Sequence, residues 1–318
     1  MVWVWRLLRS SLISLTVLTV ILSASVAASA APGDIYVGLC CMGDSIIRVT
    51  PQGVASVFET SGVSTPFALA FDPAGNLYVT NSGDNTVEKF SPTGMGSVFA
   101  DLTGPRGLVI DALGNLYVST ANDTIEKIAP DGTASVFASS GLSGVLGLAM
   151  DAAGNIFAAN SANNTVEKFS PAGVASLYAS TSLALVDSLA IDRRGNLFVG
   201  DFLSGAVEEI TPSRTQTVFA ATVGGEPEGL AFDSPGNLLV ATGGNSRVVS
   251  IAPDGVQSTV ADNLYVATSL AVEPASASSV SEPGAITLLL LGLTGLGIVA
   301  RPSRRARSLV QSHSRQSP

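Results

Sequence analysis

Short apolar runs of four to six residues fill most of the chain and recur with a period of about 40 residues. One period, starting at Arg106, reads "RGLVI", "LYVS", "TIEKI" and "ASVFA", with Gly, Pro, Asn and Asp between the runs. Runs of this length between turn-forming residues predict β-strands, and no apolar helical periodicity competes with them. Four strands in about 40 residues is the size of one propeller blade.

The two ends of the repeated region complete the count of blades. "GDIYVG" at 33–38 aligns with the second strand of a repeat, so the first repeat lacks an opening strand. "SLAVEP" at 269–274 aligns with an opening strand and has no later strands of its own. We therefore predict an all-β fold, a six-bladed β-propeller over 31–274, in which the last strand completes the first blade. Such closure removes the exposed sheet edges at the chain ends.

Residues 1–30 precede this repeat and have the pattern of a secretory signal peptide. Arg6 and Arg9 form a positive start, an apolar run follows, and Ala28-Ser29-Ala30 is a small-residue cleavage pattern. The sequence therefore predicts export to the periplasm, the cell envelope or the medium.

A second apolar run, at 284–300, follows a predicted linker at 275–283. It has 17 residues without a charge, which is the short limit of the roughly 17–25 residues of a spanning helix. A basic tail at 301–318 comes next and begins with an arginine cluster. Because basic segments stay in the cytoplasm, we predict a transmembrane helix that anchors the exported body at least transiently.

The charge of the body argues against a nucleic-acid partner. Residues 31–280 hold 24 acidic and 9 basic side chains, a net charge of about −15, which repels phosphate backbones. The chain's one histidine, His313, lies in the basic tail, so the body has no histidine for catalysis. Cys40 and Cys41 are adjacent, and three states stay open for them: two thiols, a vicinal disulfide, or a bond to another chain.

A D-x-x-G-N motif stands between the first and second predicted strands of five repeats. Asp accepts hydrogen bonds from nearby backbone N–H groups and Gly supplies a positive φ, so the motif predicts a hairpin turn. A calcium loop of the EF-hand type needs alternating oxygen ligands over twelve residues, and none is found here. The predicted turn residues are Asp72, Asp111, Asp151, Asp192 and Asp233.

Ligands of propellers usually bind at the mouth of the central channel, which the approach to each innermost strand and the turn after each second strand surround. The approach positions are Phe67, Arg106, Leu146, Asp187, Glu228 and Thr268, and the positions after the second strand are Leu39, Asn81, Thr120, Asn160, Asp201 and Thr242. Among these, the channel-mouth candidates for binding are Asp187, Asp201, Glu228, Asn160 and Arg106. Their carboxylate and amide oxygens suit Ca²⁺; the alternative is a polar, solvated rim. No catalytic residue is assigned, and no cofactor is expected beyond that calcium ion.

The repeats resemble NHL repeats and the six-bladed propellers of the gluconolactonase and regucalcin type. The resemblance covers about 33–274 and is carried by a P-x-G-L-A-x-D-x-x-G-N-L-Y-V frame. The matching residues are Pro105, Gly107, Leu108, Asp111, Gly114 and Asn115, and Pro227, Gly229, Leu230, Asp233, Gly236 and Asn237. NHL propellers mostly bind proteins, nucleic acids or glycans, the gluconolactonase type comprises calcium or zinc hydrolases, and the related streptogramin lyases need a catalytic histidine that this body lacks.

The C-terminal segment resembles a PEP-CTERM sorting segment. Val280-Ser281-Glu282-Pro283 precedes the apolar run and the arginine cluster, with Ser281 where the first proline usually stands. The resemblance implies a sorting protease of the exosortase type that acts near Glu282 and Pro283; a simple membrane anchor has the same layout. Taken together, the sequence predicts an envelope-associated, non-enzymatic module that binds a protein or a polysaccharide. The alternative is a calcium- or zinc-dependent hydrolase or lactonase.

Overall fold

The computed structural model describes residues 33–41 and 43–274. The predicted signal peptide, linker, transmembrane helix and basic tail lie outside the described residues, and so do Glu282 and Pro283. Nothing in the described part of the chain forms a helix with the length and apolar character needed to cross a membrane.

The described chain forms 24 strands, numbered in chain order. The first twelve are β1 (Ile35–Cys40), β2 (Ser45–Val49), β3 (Ala55–Glu59), β4 (Pro66–Phe71), β5 (Leu77–Asn81), β6 (Thr86–Phe90), β7 (Gly96–Asp101), β8 (Pro105–Ile110), β9 (Leu116–Thr120), β10 (Ile125–Ile128), β11 (Ala134–Ala138) and β12 (Val145–Met150). The others are β13 (Ile156–Asn160), β14 (Thr165–Phe169), β15 (Ala175–Ser180), β16 (Val186–Ile191), β17 (Leu197–Asp201), β18 (Val207–Ile210), β19 (Gln216–Ala220), β20 (Pro227–Phe232), β21 (Leu238–Thr242), β22 (Arg247–Ile251), β23 (Gln257–Ala261) and β24 (Val266–Val272).

These strands form six antiparallel sheets of four strands each. Blades 2 to 6 each take four consecutive strands, starting with β4, β8, β12, β16 and β20, and blade 1 has the order β24-β1-β2-β3. The ring closes where β24 pairs with β1, with Ile35 opposite Val272, and the Glu273 N–H donates to the Asp34 carbonyl at 2.8 Å. The predicted six-bladed propeller is confirmed.

The hydrophobic core lies between the blades rather than within one central layer. Six clusters of buried side chains occupy the six blade interfaces. The second strands of the blades, such as β5 and β13, are buried along their whole length. Each second strand is therefore buried on both faces of its blade, against the two neighbouring blades.

The D-x-x-G-N motifs form the turns that enter the second strands. In blade 4, the Asp151 carboxylate accepts the N–H groups of Ala153 and Asn155 at 3.0 and 2.8 Å. The amide nitrogen of the Asn155 side chain donates to the other carboxylate oxygen at 2.7 Å, and Gly154 has a φ of +78°. The same Asp–Asn side-chain bond recurs in four other blades, at Asp72, Asp111, Asp192 and Asp233. The repeated Asn is thus a hydrogen-bonding partner of the repeated Asp.

Candidate functional site

A β-bulge marks the start of the innermost strand in every blade. In blade 5 the register of β16 against β17 shifts between Val186 and Leu189. In blade 6 the register of β20 against β21 shifts between Pro227 and Gly229. Bulges leave a residue out of the ladder and redirect its side chain. The residues at or beside the six bulges are the predicted approach positions: Phe67, Arg106, Leu146, Asp187, Glu228 and Thr268.

Hydrogen bonds between neighbouring blades fix these bulges in place. The Ser188 hydroxyl donates to the Pro227 carbonyl at 2.6 Å, which joins the chain beside Asp187 to the chain beside Glu228. Equivalent bonds of 2.6 to 2.7 Å run from Thr80 to Arg106, from Ser119 to Leu146 and from Thr268 to Pro66. The position of each approach residue therefore depends on the blade next to it.

A cavity of about 340 Å³ opens at this end of the ring. Its walls are mainly apolar: Cys40, Pro66, Phe67, Leu146, Leu185 and Phe202. Its polar lining consists of Asp187, Glu228, Thr65 and Thr268. A smaller space of about 70 Å³ between the innermost strands shares Phe67, Asp187 and Glu228 with it. The carboxyl groups of Asp187 and Glu228 therefore stand where the larger cavity narrows into the channel. We call the larger space, of about 340 Å³, the mouth cavity.

Asp187 and Glu228 both have carboxyl groups that hold protons unusually well. Burial raises the pKa of Asp187 to about 7, although the Arg106 guanidinium opposes the rise. Burial also raises the pKa of Glu228 to about 7, helped by the negative charges of Asp187 and Glu226. Two acids that titrate near neutrality in one cavity suit either proton transfer or the binding of a cation.

Arg106 supplies positive charge near the mouth cavity but does not line it. Its guanidinium donates to the Val145 carbonyl at 3.1 Å. It acts on Asp187 by its charge, and it favours the ionised carboxylate. Arg106 thus positions the chain entering β12 and limits the rise in the pKa of Asp187.

Asp201 and Asn160 hold loops at the rim. The Asp201 carboxylate accepts the N–H groups of Ala184, Leu185 and Leu203 at 3.1 Å each, and the Ser204 hydroxyl at 2.6 Å. These bonds favour the charged form and lower its pKa, against the effect of burial.

Asn160 performs the same task in blade 4. Its side-chain oxygen accepts the Ser143 N–H at 3.1 Å, and its nitrogen donates to the Gly141 carbonyl at 2.9 Å. The two residues place the loops that lead into β16 and β12, and their oxygen atoms are already used.

This arrangement leaves too few free oxygen ligands for a calcium ion. Ca²⁺ takes six to eight oxygen ligands, whereas Asp201 and Asn160 direct theirs to loop N–H groups. Within 33–41 and 43–274, no three His, Cys, Asp or Glu side chains converge as metal ligands. The residues that were candidates for a metal site therefore divide into two mouth acids and two loop-holding residues.

Cys40, which lines the mouth cavity, forms a disulfide with Cys41. Of the three states that the sequence left open, the structure has the vicinal disulfide. Asp44 links Cys41 to Thr65, because its carboxylate accepts the Cys41 N–H at 3.1 Å and the Thr65 N–H at 2.7 Å. The disulfide is therefore tied, through Asp44, to Thr65, immediately before the strand that carries Phe67.

Comparison with solved structures finds proteins with a similar fold. No family model matches the chain, and no curated protein matches it. A structure of a nidogen–laminin complex has a TM-score of 0.69 at 18% identity, covering 76% of this chain and 99% of that one. A gluconolactonase from Xanthomonas campestris has a TM-score of 0.58 at 16% identity, covering 75% and 89%. A streptogramin B lyase has a TM-score of 0.57 at 17% identity, covering 73% and 84%. These neighbours are six-bladed β-propellers, and at such identities they show the fold alone.

Proposed function

We propose that this chain is an exported, envelope-associated, non-enzymatic binding module that holds a protein ligand in the mouth cavity. The observation that carries the proposal is the composition of that cavity, in which apolar walls surround Asp187 and Glu228. Small-ligand sites typically have apolar walls with a few polar groups that fix orientation, at volumes of about 300–1,000 Å³. The volume of about 340 Å³ suits one or two side chains of an inserted loop.

An arginine side chain matches this cavity best. Its methylene stem would lie along Phe67 and Leu146, and its guanidinium would bond Asp187 and Glu228 at the narrow end. A polysaccharide fits less well, because its hydroxyl groups need more hydrogen-bonding partners than these walls provide. The nidogen–laminin neighbour is a complex of two proteins, which supports a protein ligand for this fold.

The binding of an arginine probe tests the proposal directly. We expect the chain to bind the peptide Ac-Gly-Leu-Arg-Leu-Gly-NH₂ in calorimetry, and its citrulline analogue at least about tenfold more weakly, since loss of a charged hydrogen-bonding partner costs 1.4 kcal/mol or more. The double variant Asp187→Asn/Glu228→Gln should lose the preference for arginine. Asp131→Asn, on the exposed turn between β10 and β11, is the matched control and should keep it. Equal binding of both peptides by the wild type would contradict the proposal.

The gluconolactonase type of hydrolase is the second candidate. The paired acids of the mouth favour it, because two carboxyl groups with a pKa of about 7 can serve as general acid and base. We therefore propose an assay with δ-gluconolactone, with added Ca²⁺ or Zn²⁺ and with chelator. Turnover that disappears in Asp187→Asn/Glu228→Gln would replace the binding module by the enzyme.

A further inference from the structure

A cation lies over an aromatic ring in three successive blades. The Nζ atom of Lys89 is 5.2 Å from the ring centre of Tyr78, and Lys127 is 5.5 Å from that of Tyr117. Lys168 is 5.1 Å from the ring centre of Phe157, and its Nζ also lies 3.6 Å from the turn carboxylate of Asp151. In three blades an ammonium group thus lies on an aromatic face, and in blade 4 a turn carboxylate completes the site.

Blade 5 keeps the parts of this site but lacks its ammonium. The strand register pairs Phe157 with Lys168 in blade 4 and Phe198 with Glu209 in blade 5. The turn carboxylate is also present, as Asp192. A carboxylate therefore stands where three other blades have the lysine.

A groove of about 340 Å³ lies at this position, between blades 5 and 6. Its aromatic wall is Phe198 with the rings of Phe219 and Phe232 packed edge-on at 4.9 and 5.1 Å. Three carboxyl groups line it, at Asp192, Glu209 and Asp233. Because the groove lies beside the D-x-x-G-N turns, it is at the opposite end of the second strand from the mouth cavity.

We propose that this groove binds a lysine side chain of a partner protein. The alkyl stem covers the Phe198 and Phe232 rings, and the ammonium takes the place of the chain's own lysines, next to Glu209 and Asp192. Three carboxylates line the groove, against two guanidinium groups, those of Arg193 and Arg194. Both arginine residues are exposed to solvent. Water screens those exposed charges, so they oppose a cation only weakly.

Two charge changes at Glu209 test this site. Glu209→Lys gives blade 5 a lysine at the position where blades 2 to 4 have one. The ammonium group of that lysine should occupy the site in the groove and exclude the probe. Glu209→Gln removes the charge and keeps the shape, so it tests the site even if the lysine variant folds poorly. In saturation-transfer NMR on the full-length chain, we expect Nα-acetyl-lysine methylamide to bind at millimolar concentration. Binding should weaken about tenfold or more in Glu209→Lys and severalfold in Glu209→Gln.

The controls separate this proposal from its alternatives. Asp84→Lys makes the same change of net charge on an exposed loop of blade 2 and should leave binding unchanged. The Nα,Nε-diacetyl probe lacks the ammonium and should bind at least about tenfold more weakly. Equal binding of both probes, or unchanged binding in Glu209→Lys, would overturn the proposal. Stronger binding of glucosamine than of the lysine probe would overturn the assignment to a protein partner.

Discussion

At the scale of single residues, acids that look alike in the sequence do different work. Asp201 is buried but accepts four hydrogen bonds, so its charge is stabilised. Asp187 is also buried, but no hydrogen-bond donor of the described chain bonds its carboxyl group, so burial destabilises its charge. Charge neutralisation should therefore have opposite effects at the two positions.

The mouth acids predict a dependence of stability on pH. The folded-state pKa of Asp187 and of Glu228 is about 7, well above the usual unfolded values near 4. The folded protein then binds more protons than the unfolded chain between about pH 4 and 7, so stability falls as pH rises through that window. Asp187→Asn/Glu228→Gln should remove this fall and stabilise the protein at pH 8 by several kcal/mol, since each pKa unit corresponds to about 1.4 kcal/mol. Chemical unfolding at pH 5 and pH 8 measures the difference.

Asp201→Asn is the matched contrast, and it should destabilise the protein by about 1–3 kcal/mol at both pH values. Four donors would lose their charged acceptor, and the amide nitrogen would face N–H groups. If the Asp201 variant were as stable as the wild type and the double variant were less stable, the division into mouth acids and loop-holding residues would be wrong.

At the scale of elements, the ring is closed by the pairing of the last strand, β24, with the first, β1. β24 pairs with β1 from Cys40 to Ile35 and contributes Ala267, Leu270 and Ala271 to the buried core. Without it, β1 becomes an open edge and blade 1 loses its innermost strand.

Truncation tests this closure. A chain that ends at residue 265 should aggregate or lose cooperative unfolding, because it exposes apolar surface and an unpaired edge. A chain that ends at residue 274 keeps every described strand and is the control. Size-exclusion chromatography and thermal unfolding compare the two. A monomeric 265-residue chain with unchanged thermal stability would show that blade 1 does not need β24.

At the scale of the whole molecule, the ring presents two separate candidate sites. The mouth cavity lies at the bulges that begin the innermost strands, and the groove of blade 5 lies at the D-x-x-G-N turns. Each site has its own disabling variant, so a result at one leaves the other proposal standing.

The flanking segments lead to a prediction about processing in the native host. We propose that 1–30 directs export and that an exosortase-type protease removes the C-terminal segment near Glu282-Pro283. The mature protein should then end near residue 283 and lack the arginine cluster, which intact-mass measurement would detect. A chain that still ends at Pro318 in the membrane fraction would favour a permanent anchor.

The sequence by itself determined the blade count and the turns. A period of about 40 residues, four apolar runs per period and the split first repeat are local patterns, and strand propensity and turn chemistry act locally too. The same alignment named the approach residues, which is why Asp187 and Glu228 could be predicted at the channel mouth.

Only the tertiary structure decided what those positions do, because their chemistry depends on contacts between blades. The bulges, the cross-blade bond from Ser188 to Pro227 and the burial of Asp187 arise when neighbouring sheets pack. Asp201 is a predicted binding residue whose oxygens are used by the loop before β16. No sequence motif marks the groove beside blade 5. It results from a single change in the repeat, Glu209 in place of lysine, and from the packing of blades 5 and 6, which leaves the space beside Phe198 open.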